Sequence, residues 1–574
     1  MVDKLANWLT FKKAIVLIVA ATSIVYFNTL ANGFVWDDEE QIVNNSIIQN
    51  LYNWPQVFSG ATFSTGGAGL SGWFFRPLFT LTYMLNFAVW HASAGGFHFF
   101  QVFFHTINAI LIFKIIETFL KNLKSKFSTV LSTFAALIFA VHPLFTEAVA
   151  YIASLNYVML TFFNLLALLL IQRAVKPTNR KMLIVGSFLF AAFLFNESAL
   201  VFIPILASYL LISKNRHWKH WTFTLASVSA LYFFIRLVLV KNPIRHPEFS
   251  PISEASFYKR ILTIPAEAFY YLKRFVFPTD LAISRHFVIT SPKSAEFILP
   301  LVIELALLAL VIYLIVKFKS RIILFGLIFF LLGLSLVSNI IPLDMTVAER
   351  WIYFPSVGLI IILSGLMYAV SNHTKLTAVF LVVFSAVIIL FGIRTIVRNN
   401  NWHSGLSLYA NDIKISKNSF DLENNLGVEL FRAGDYKNAK VHFENSIALQ
   451  PKWYFAYNNL GAVYEQEKNY QKAKELYYKT LAISDYYIAY ENIAGILLFW
   501  ENNPAKAKEF TQNALRKLPQ NGKLWLNLAL SNYELKNYGD ALQAAANAYR
   551  FSPNDQTAYV YTQLYNNQPI DLNK

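Results

Sequence analysis

Apolar residues run in long unbroken blocks through the first two thirds of the chain, and in a helical rhythm of small and aromatic residues through the last third. A helix needs roughly 20 mainly apolar residues to cross the hydrocarbon of a bilayer. Eleven windows of residues 1–399 approach that length: 12–31, 97–120, 128–143, 157–172, 182–196, 198–213, 220–240, 297–316, 322–341, 352–370 and 376–397. Two further apolar stretches, 76–91 and 257–277, are read as helices lying on the membrane surface. Counting 76–91 as a span would break the charge alternation described below, and its Tyr83 and Trp90 suit an interface. Lys259, Arg260, Lys273 and Arg274 bracket the second stretch.

Beyond residue 399 the pattern changes to a fixed period. Leu426, Leu460, Ala494 and Leu528 stand 34 residues apart, as do Gly427, Gly461, Gly495 and Ala529, and then Ala439, Ala473, Ala507 and Ala541. Pro451, Pro519 and Pro553 keep the same frame, with Asp485 in the remaining place. A 34-residue period with small residues at these offsets is the tetratricopeptide pattern, in which paired helices stack into a solenoid. A half-repeat with Trp402, Gly405 and Tyr409 falls at 400–420, and full repeats start near 421. The expected fold is all-α: a polytopic membrane bundle of about eleven spans over 1–399, then a repeat solenoid over 400–574. Tyr454, Tyr457, Tyr464 and Trp525 are candidates for a peptide-binding groove; packing between the repeat helices is the other reading of the same aromatics.

Composition supports this division. Charged residues make up 14% of the 574, against about 25% in a soluble protein. The net charge of +16 does not point to nucleic acid, because many of the Lys and Arg residues cluster in alternate short loops. These clusters are Lys12 and Lys13; Lys121, Lys124 and Lys126; Arg173, Lys176, Arg180 and Lys181; Lys214, Arg216 and Lys219; Lys317, Lys319 and Arg321. Such loops are expected on the cytoplasmic side. The opposite loops carry Asp37, Asp38, Glu39, Glu40, Glu147, Glu197, Asp344 and Glu349. An odd number of spans then places the repeats outside the cytoplasm. The first apolar block is read as an uncleaved span and not as a signal peptide. The chain has no Cys, which excludes disulfides, thiolate metal sites and cysteine nucleophiles.

Chemistry concentrates in the loop 32–96, which opens with Gly33-Phe34-Val35-Trp36-Asp37-Asp38-Glu39-Glu40. A solvated acidic loop obeying topology is one reading. The other gives weight to Phe34, Val35 and Trp36, which hold the carboxylates at the interface. Desolvation and like-charge crowding raise a carboxylate's pKa towards that of a useful base. Gly66-Gly67-Ala68-Gly69 lacks a following Lys-Ser/Thr and is not a phosphate loop. His98 and His105 lack partner ligands, so no metal site is expected.

The runs GFVWDDEEQIVNN, WFFRPLFTLTYMLNFAVWH, GFHFFQVFFHTINA, HPLFTEAVAYIAS, NES and AERWIYFPSVG, in that order and ahead of the repeats, carry a resemblance. The chain resembles the transmembrane and tetratricopeptide repeat-containing protein O-mannosyltransferases, which are similar to the wider GT-C glycosyltransferases. It departs from their pattern where HPLFTE lacks a second His and where Asn196 precedes Glu197. The resemblance implies transfer of a sugar, with mannose the expected one, from a polyprenyl-phosphate donor to Ser or Thr of a polypeptide. Asp37 or Asp38 would take the hydroxyl proton during an inverting attack. The departing phosphate needs no general acid, and no cofactor or metal is expected. Cations near the same surface would hold the donor phosphate: Arg76, Arg350, Lys273 and Arg274, the last two in the basic loop 241–296. Structural pairing is the other reading of Arg76 and Arg350. His142 and Glu147 either orient substrate or hydrogen-bond within the fold, and Glu197 is either a polar anchor or a pocket residue. A lipid or glycan acceptor, an oligosaccharide donor, and a non-enzymatic membrane scaffold are the alternatives. The expected home is a bacterial inner membrane with periplasmic repeats, or the endoplasmic reticulum with lumenal ones.

Overall fold

The computed structural model describes residues 2–58, 62–64, 70–71, 74–174, 176–240, 249–371 and 373–571. The glycine-rich run at 66–69 and residues 241–248 of the basic loop lie outside these. The chain divides into two compact units, residues 1–61 with 73–417 and residues 62–72 with 418–574. Both are helical; the β pairing among the described residues is a two-residue ladder, Phe63–Ser64 against Leu70–Ser71, and one bridge between Arg285 and Val347.

Every apolar window carries a helix. Among the described residues, six helices are long and apolar enough to cross a membrane: Phe11–Ala31, Ala94–Asn122, Ile152–Arg173, Trp218–Leu239, Ala295–Phe318 and Lys375–Asn401. A seventh is the pair Ser128–Val141 and Pro143–Ala150, bent by 49°. Pro143 cannot donate to the preceding turn, and the His142 ring Nδ1 accepts the Leu144 N–H at 3.2 Å beside the break. The other four windows hold shorter helices: Asn179–Phe195, Glu197–Ile212, Arg321–Ser335 and Ser356–Ala369. At 1.5 Å per residue, Ser356–Ala369 with its 14 residues reaches about 21 Å, short of the roughly 30 Å hydrocarbon layer. Pro77–Trp90 is equally short, and Phe257–Val276 is amphipathic, burying Leu262, Glu267, Tyr270, Tyr271 and Arg274 on one face.

Burial separates inner from outer helices. Ile152–Arg173 has 72% of its apolar window buried, Ala295–Phe318 only 6%. The latter turns Leu299, Val302, Leu305, Leu310 and Val316 outward, the surface of a membrane protein, in which apolar side chains face lipid. Inside, Arg321–Ser335 and Ser356–Ala369 meet backbone to backbone at Gly326 and Gly358. A Cβ on Gly358 would stand 2.5 Å from the Phe330 nitrogen, so only glycine permits this approach.

Segment 400–417, assigned above to the repeats, falls with the bundle. Arg398 forms an ion pair with Asp412 (2.5 and 2.8 Å), both fully buried, and Asp412 also accepts the Ile283 N–H at 2.9 Å. Trp402 is completely enclosed.

In the second unit the period becomes helix pairs: Phe420–Arg432 with Tyr436–Leu449, Tyr454–Gln466 with Tyr470–Ile483, Tyr487–Gly495 with Pro504–Lys517, and Gly522–Glu534 with Tyr538–Phe551. Asp435, Asn469 and Asn503 recur at the 34-residue step, and each accepts the N–H three residues on, starting the second helix of its pair. Gly427 and Gly461 lie under the rings of Phe443 and Tyr477, where a Cβ would come within 2.7 and 2.6 Å.

Candidate active site

The acidic loop takes its shape from three tethers. The Gly33 N–H donates to the His403 carbonyl at 3.0 Å, and Asn32 Nδ2 to the Asn399 carbonyl at 3.1 Å, pinning the exit of the first helix to the end of the last. Trp36 then adopts a left-handed backbone, φ 57°, uncommon for a bulky residue and a feature of functional turns. Asp38 holds the turn closed: its Oδ2 accepts the Val35 N–H at 3.1 Å and its Oδ1 the Ala153 N–H at 2.7 Å.

The two aspartates therefore differ. Asp38 is fully buried with both oxygens bonded to main-chain amides. Burial pushes its pKa well up against the pull of those amides. Asp37 is half-buried. Burial raises its pKa too, while the Tyr151 hydroxyl and the Arg350 cation pull it down and Asp344 pushes it up. Of the two, Asp37 has the carboxylate left open to a reacting group.

An aromatic stack backs this carboxylate. Trp36 lies on Tyr151 (5.3 Å, 15°), and Tyr151 lies on Trp402 (5.7 Å, 24°). The Arg350 guanidinium sits over the Trp36 ring at 5.3 Å and near Trp351 at 5.8 Å. Arg350 is itself fixed by Glu147, which pairs with the guanidinium and accepts the Arg350 N–H at 2.8 Å. Tyr83 donates to the Ile152 carbonyl at 2.8 Å, and its hydroxyl pKa is pushed well up, first by burial and then by Asp38 and Asp37.

A second cationic centre is the pair Arg76–Glu197, bidentate at 3.0 and 3.1 Å. Arg76 also stacks on Phe74 at 4.1 Å. Tyr157, half-buried, interacts electrostatically with both Arg76 and Arg350. Arg236 joins the pair: buried, donating to the Tyr232 hydroxyl at 3.1 Å, with its charge felt by Glu197.

The fold thus brings Asp37, Asp38, Glu147 and Arg350 together, and Arg76 with Glu197. His142 is elsewhere. Both its ring nitrogens meet main-chain groups, Leu144 N–H and the Phe275 carbonyl at 2.9 Å, and it packs on Phe275 and Phe391. Lys273 points outward, and Arg274 is held by Tyr270 at 4.3 Å and Asp280 at 3.8 Å. In the repeats, Tyr457 and Tyr464 pack against the Phe443–Leu460–Leu476 core, with Lys440 over Tyr464 at 4.1 Å. Trp525 bonds the Pro519 carbonyl at 2.8 Å and lines a cavity of about 420 Å³ with Leu528, Asn532 and Arg516. Tyr454 stacks on Phe455 at 4.1 Å. Tyr457 and Tyr464 pack between the repeat helices, whereas Trp525 borders the cavity.

Tyr151, Tyr157 and Arg236 were not singled out from the sequence. Arg236 had a signal, an ionisable residue inside an apolar window; the tyrosines had none.

Residues 424–488 and 495–556 match the profile of the tetratricopeptide repeat. Over the greater part of its length the chain is similar to proteins named as O-mannosyl-transferases. Protein O-mannosyl-transferase F38B6.6 of Caenorhabditis elegans is 25% identical over 452 residues, 76% of this chain and 63% of that one. Protein O-mannosyl-transferase TMTC3 of Mus musculus is 25% identical over 479 residues, 76% of this chain and 51% of that one. Protein O-mannosyl-transferase Tmtc2 of Drosophila melanogaster is 31% identical over 131 residues, 22% and 13%. The chain spans between half and two thirds of the length of the first two. These matches bear out the resemblance carried by the motifs.

Proposed function

We propose that the chain belongs with the membrane protein O-mannosyltransferases, moving a mannosyl group from a polyprenyl-phosphate donor to Ser or Thr hydroxyls of polypeptides. The reading rests first on Asp37, a carboxylate held half-open on a strained turn beside a fixed arginine. The names of the similar proteins support the reaction class. Asp37 accepts the proton as the acceptor hydroxyl attacks the anomeric carbon. The new C–O bond forms as the bond from that carbon to the phosphate oxygen breaks, and the sugar inverts. Polyprenyl phosphate leaves as an anion, so charge moves from Asp37 towards the leaving group. Arg350, immobilised by Glu147, and Arg76, immobilised by Glu197, are pre-oriented cations for that developing charge, which is where electrostatic stabilisation contributes most. Asp38 positions Asp37 by clamping the turn. The catalytic face and the repeats lie on the non-cytoplasmic side, following the loop charges.

Purified protein in lipid nanodiscs, given polyprenyl-phosphate mannose and Ser/Thr peptides, should yield a mannosylated peptide whose anomeric configuration is opposite to that of the donor. Mannosylated lipid or glycan without peptide product would favour the other acceptor class. Retention of configuration would refute the single displacement.

A further inference from the structure

The fourth helix pair of the repeats departs from the 34-residue frame at a buried position. Leu430, Tyr464 and Leu498 stand one period apart, and the next step brings Asn532. Asn532 is 2% exposed. Its Nδ2 donates to the Leu528 carbonyl at 3.1 Å, while its Oδ1 is buried and accepts from nothing among the described residues. A buried acceptor is normally paired, because burial has removed the water that would otherwise bond it.

Asn532 lines the cavity of about 420 Å³ that Trp525 borders, a size within the roughly 300–1,000 Å³ of small-molecule sites. Gln512 and Arg516 of Pro504–Lys517 form one wall, Asp540 and Gln543 of Tyr538–Phe551 the other, and Trp525 and Asn532 lie between them. The Trp525 indole is fixed: its Nε1 donates to the Pro519 carbonyl at 2.8 Å, and the ring packs against the repeat core. No other ring or cation stacks on it among the described residues. Gln512, Arg516 and Gln543 are exposed and make no hydrogen bond or ion pair among the described residues. The Asp540 side chain is 66% exposed and pairs with Lys508 at 3.7 Å.

The cavity therefore presents one aromatic plate ringed by two carboxamides, a guanidinium, a carboxylate and a buried amide carbonyl. Arg516 and Asp540 oppose each other in sign, which disfavours an anion and a cation alike. Five of the nine lining residues end in polar groups, and an apolar peptide side chain would leave them unpaired. What fits is a neutral molecule with an apolar face and many hydroxyls, which is a sugar ring. The C–H face of a pyranose stacks on an aromatic ring, and each hydroxyl both donates and accepts, as planar amide and carboxylate groups require of a partner.

We infer that this cavity is a carbohydrate-binding site, with a pyranose ring lying on Trp525 and one hydroxyl donating to Asn532 Oδ1. The identity of the sugar rests on the proposed transferase reading. On that reading the ligand is the mannosyl residue of a polypeptide that has already been glycosylated, so the repeats retain partly modified chains.

The test needs neither donor nor turnover, so an inactive transferase would leave its result intact. Full-length protein in nanodiscs is titrated with a fluorescein-labelled Ser/Thr peptide carrying O-linked mannose, and with the same peptide bare, and read by anisotropy. The mannosylated peptide should bind at least about 10-fold tighter, and methyl mannoside should compete that advantage away. Trp525→Leu should abolish the advantage, as should Gln512→Ala with Gln543→Ala. The side chains of that double variant are exposed and unpartnered in the fold, so misfolding does not decide the outcome. Equal binding of the two peptides, or an advantage that survives both cavity variants, would overturn the inference. Competition by methyl glucoside or methyl galactoside in place of methyl mannoside would uphold the sugar site and count against the mannosyl reading alone.

Discussion

The two units differ in their most enclosed charges. In the bundle, Arg398–Asp412 has both side chains fully buried, and Arg350–Glu147 shows 11% and 0% exposure. Pairs such as Lys517–Asp485 in the repeats, 54% and 58% exposed, and Lys472–Glu475, 47% and 50%, lie in water. A buried pair is costly to desolvate and costlier to break, because the surviving partner is left uncompensated. An exposed pair contributes little. Charges enclosed in the bundle thus mark architecture or chemistry, whereas exposed pairs in the repeats contribute little to stability.

Breaking the most enclosed pair should give the largest stability effect. Arg398→Met strands Asp412 and should lower unfolding stability in detergent by about 3–5 kcal/mol. Adding Asp412→Leu should restore most of it. A single variant as stable as wild type would mean that the pair is not buried in the folded protein.

Arg350 sharpens the comparison by joining structure to chemistry. Its cation pulls the Asp37 pKa down. Arg350→Gln should therefore let that pKa rise, protonate the base at higher pH, and move the acidic limb of the transfer–pH profile upward. The rate at neutral pH should fall roughly 10- to 100-fold, the scale of a lost charge contact in a transition state. Arg350→Lys keeps the charge and should move the limb little. An unmoved limb in Arg350→Gln would separate Arg350 from Asp37.

Burial without a cation gives the next effect. Glu267 has one oxygen bonded to Asn339 at 2.9 Å and the other without a partner among the described residues, and burial pushes its pKa from 4.5 up to about 8. The folded state then holds a proton that the unfolded chain releases, so stability falls as pH rises from 4.5 to about 8. Glu349, also pushed up to about 8 by burial, adds to the same slope. Glu267→Gln should flatten part of it and be the more stable protein at pH 8, on the order of 2 kcal/mol. An unchanged slope would show that Glu267 is solvated. At the lower end, Lys517→Met in the repeats should leave the melting midpoint where it is; a clear drop would remove the contrast between the units.

How much of this was legible in the sequence follows the range of the interactions. The helices and the repeat frame are local and periodic, and they appear where the apolar windows and the 34-residue step put them. The acidic loop could be recognised from composition, but its two aspartates could not be told apart. Their difference rests on the left-handed Trp36 and on an amide from Ala153, 115 residues away. The pairing of Arg76 with Glu197 spans 121 residues and leaves no local trace. The repeat aromatics stayed ambiguous because a Tyr at helical spacing suits a groove and an interhelical core equally well. Tyr464 packs against the core and Trp525 borders a cavity, a difference that only the fold shows.

The assignment of Asp37 as base and Asp38 as clamp is tested most directly by exchanging the two substitutions in one transfer assay. Asp37→Asn should reduce mannosyl transfer about 10²- to 10⁴-fold and leave the melting midpoint near wild type. Asp38→Asn should lower the midpoint, because an amide in its place sets an N–H donor against the Val35 or Ala153 amide. An Asp37→Asn protein that transfers at the wild-type rate, or an Asp38→Asn protein that is inactive yet fully stable, would contradict the account.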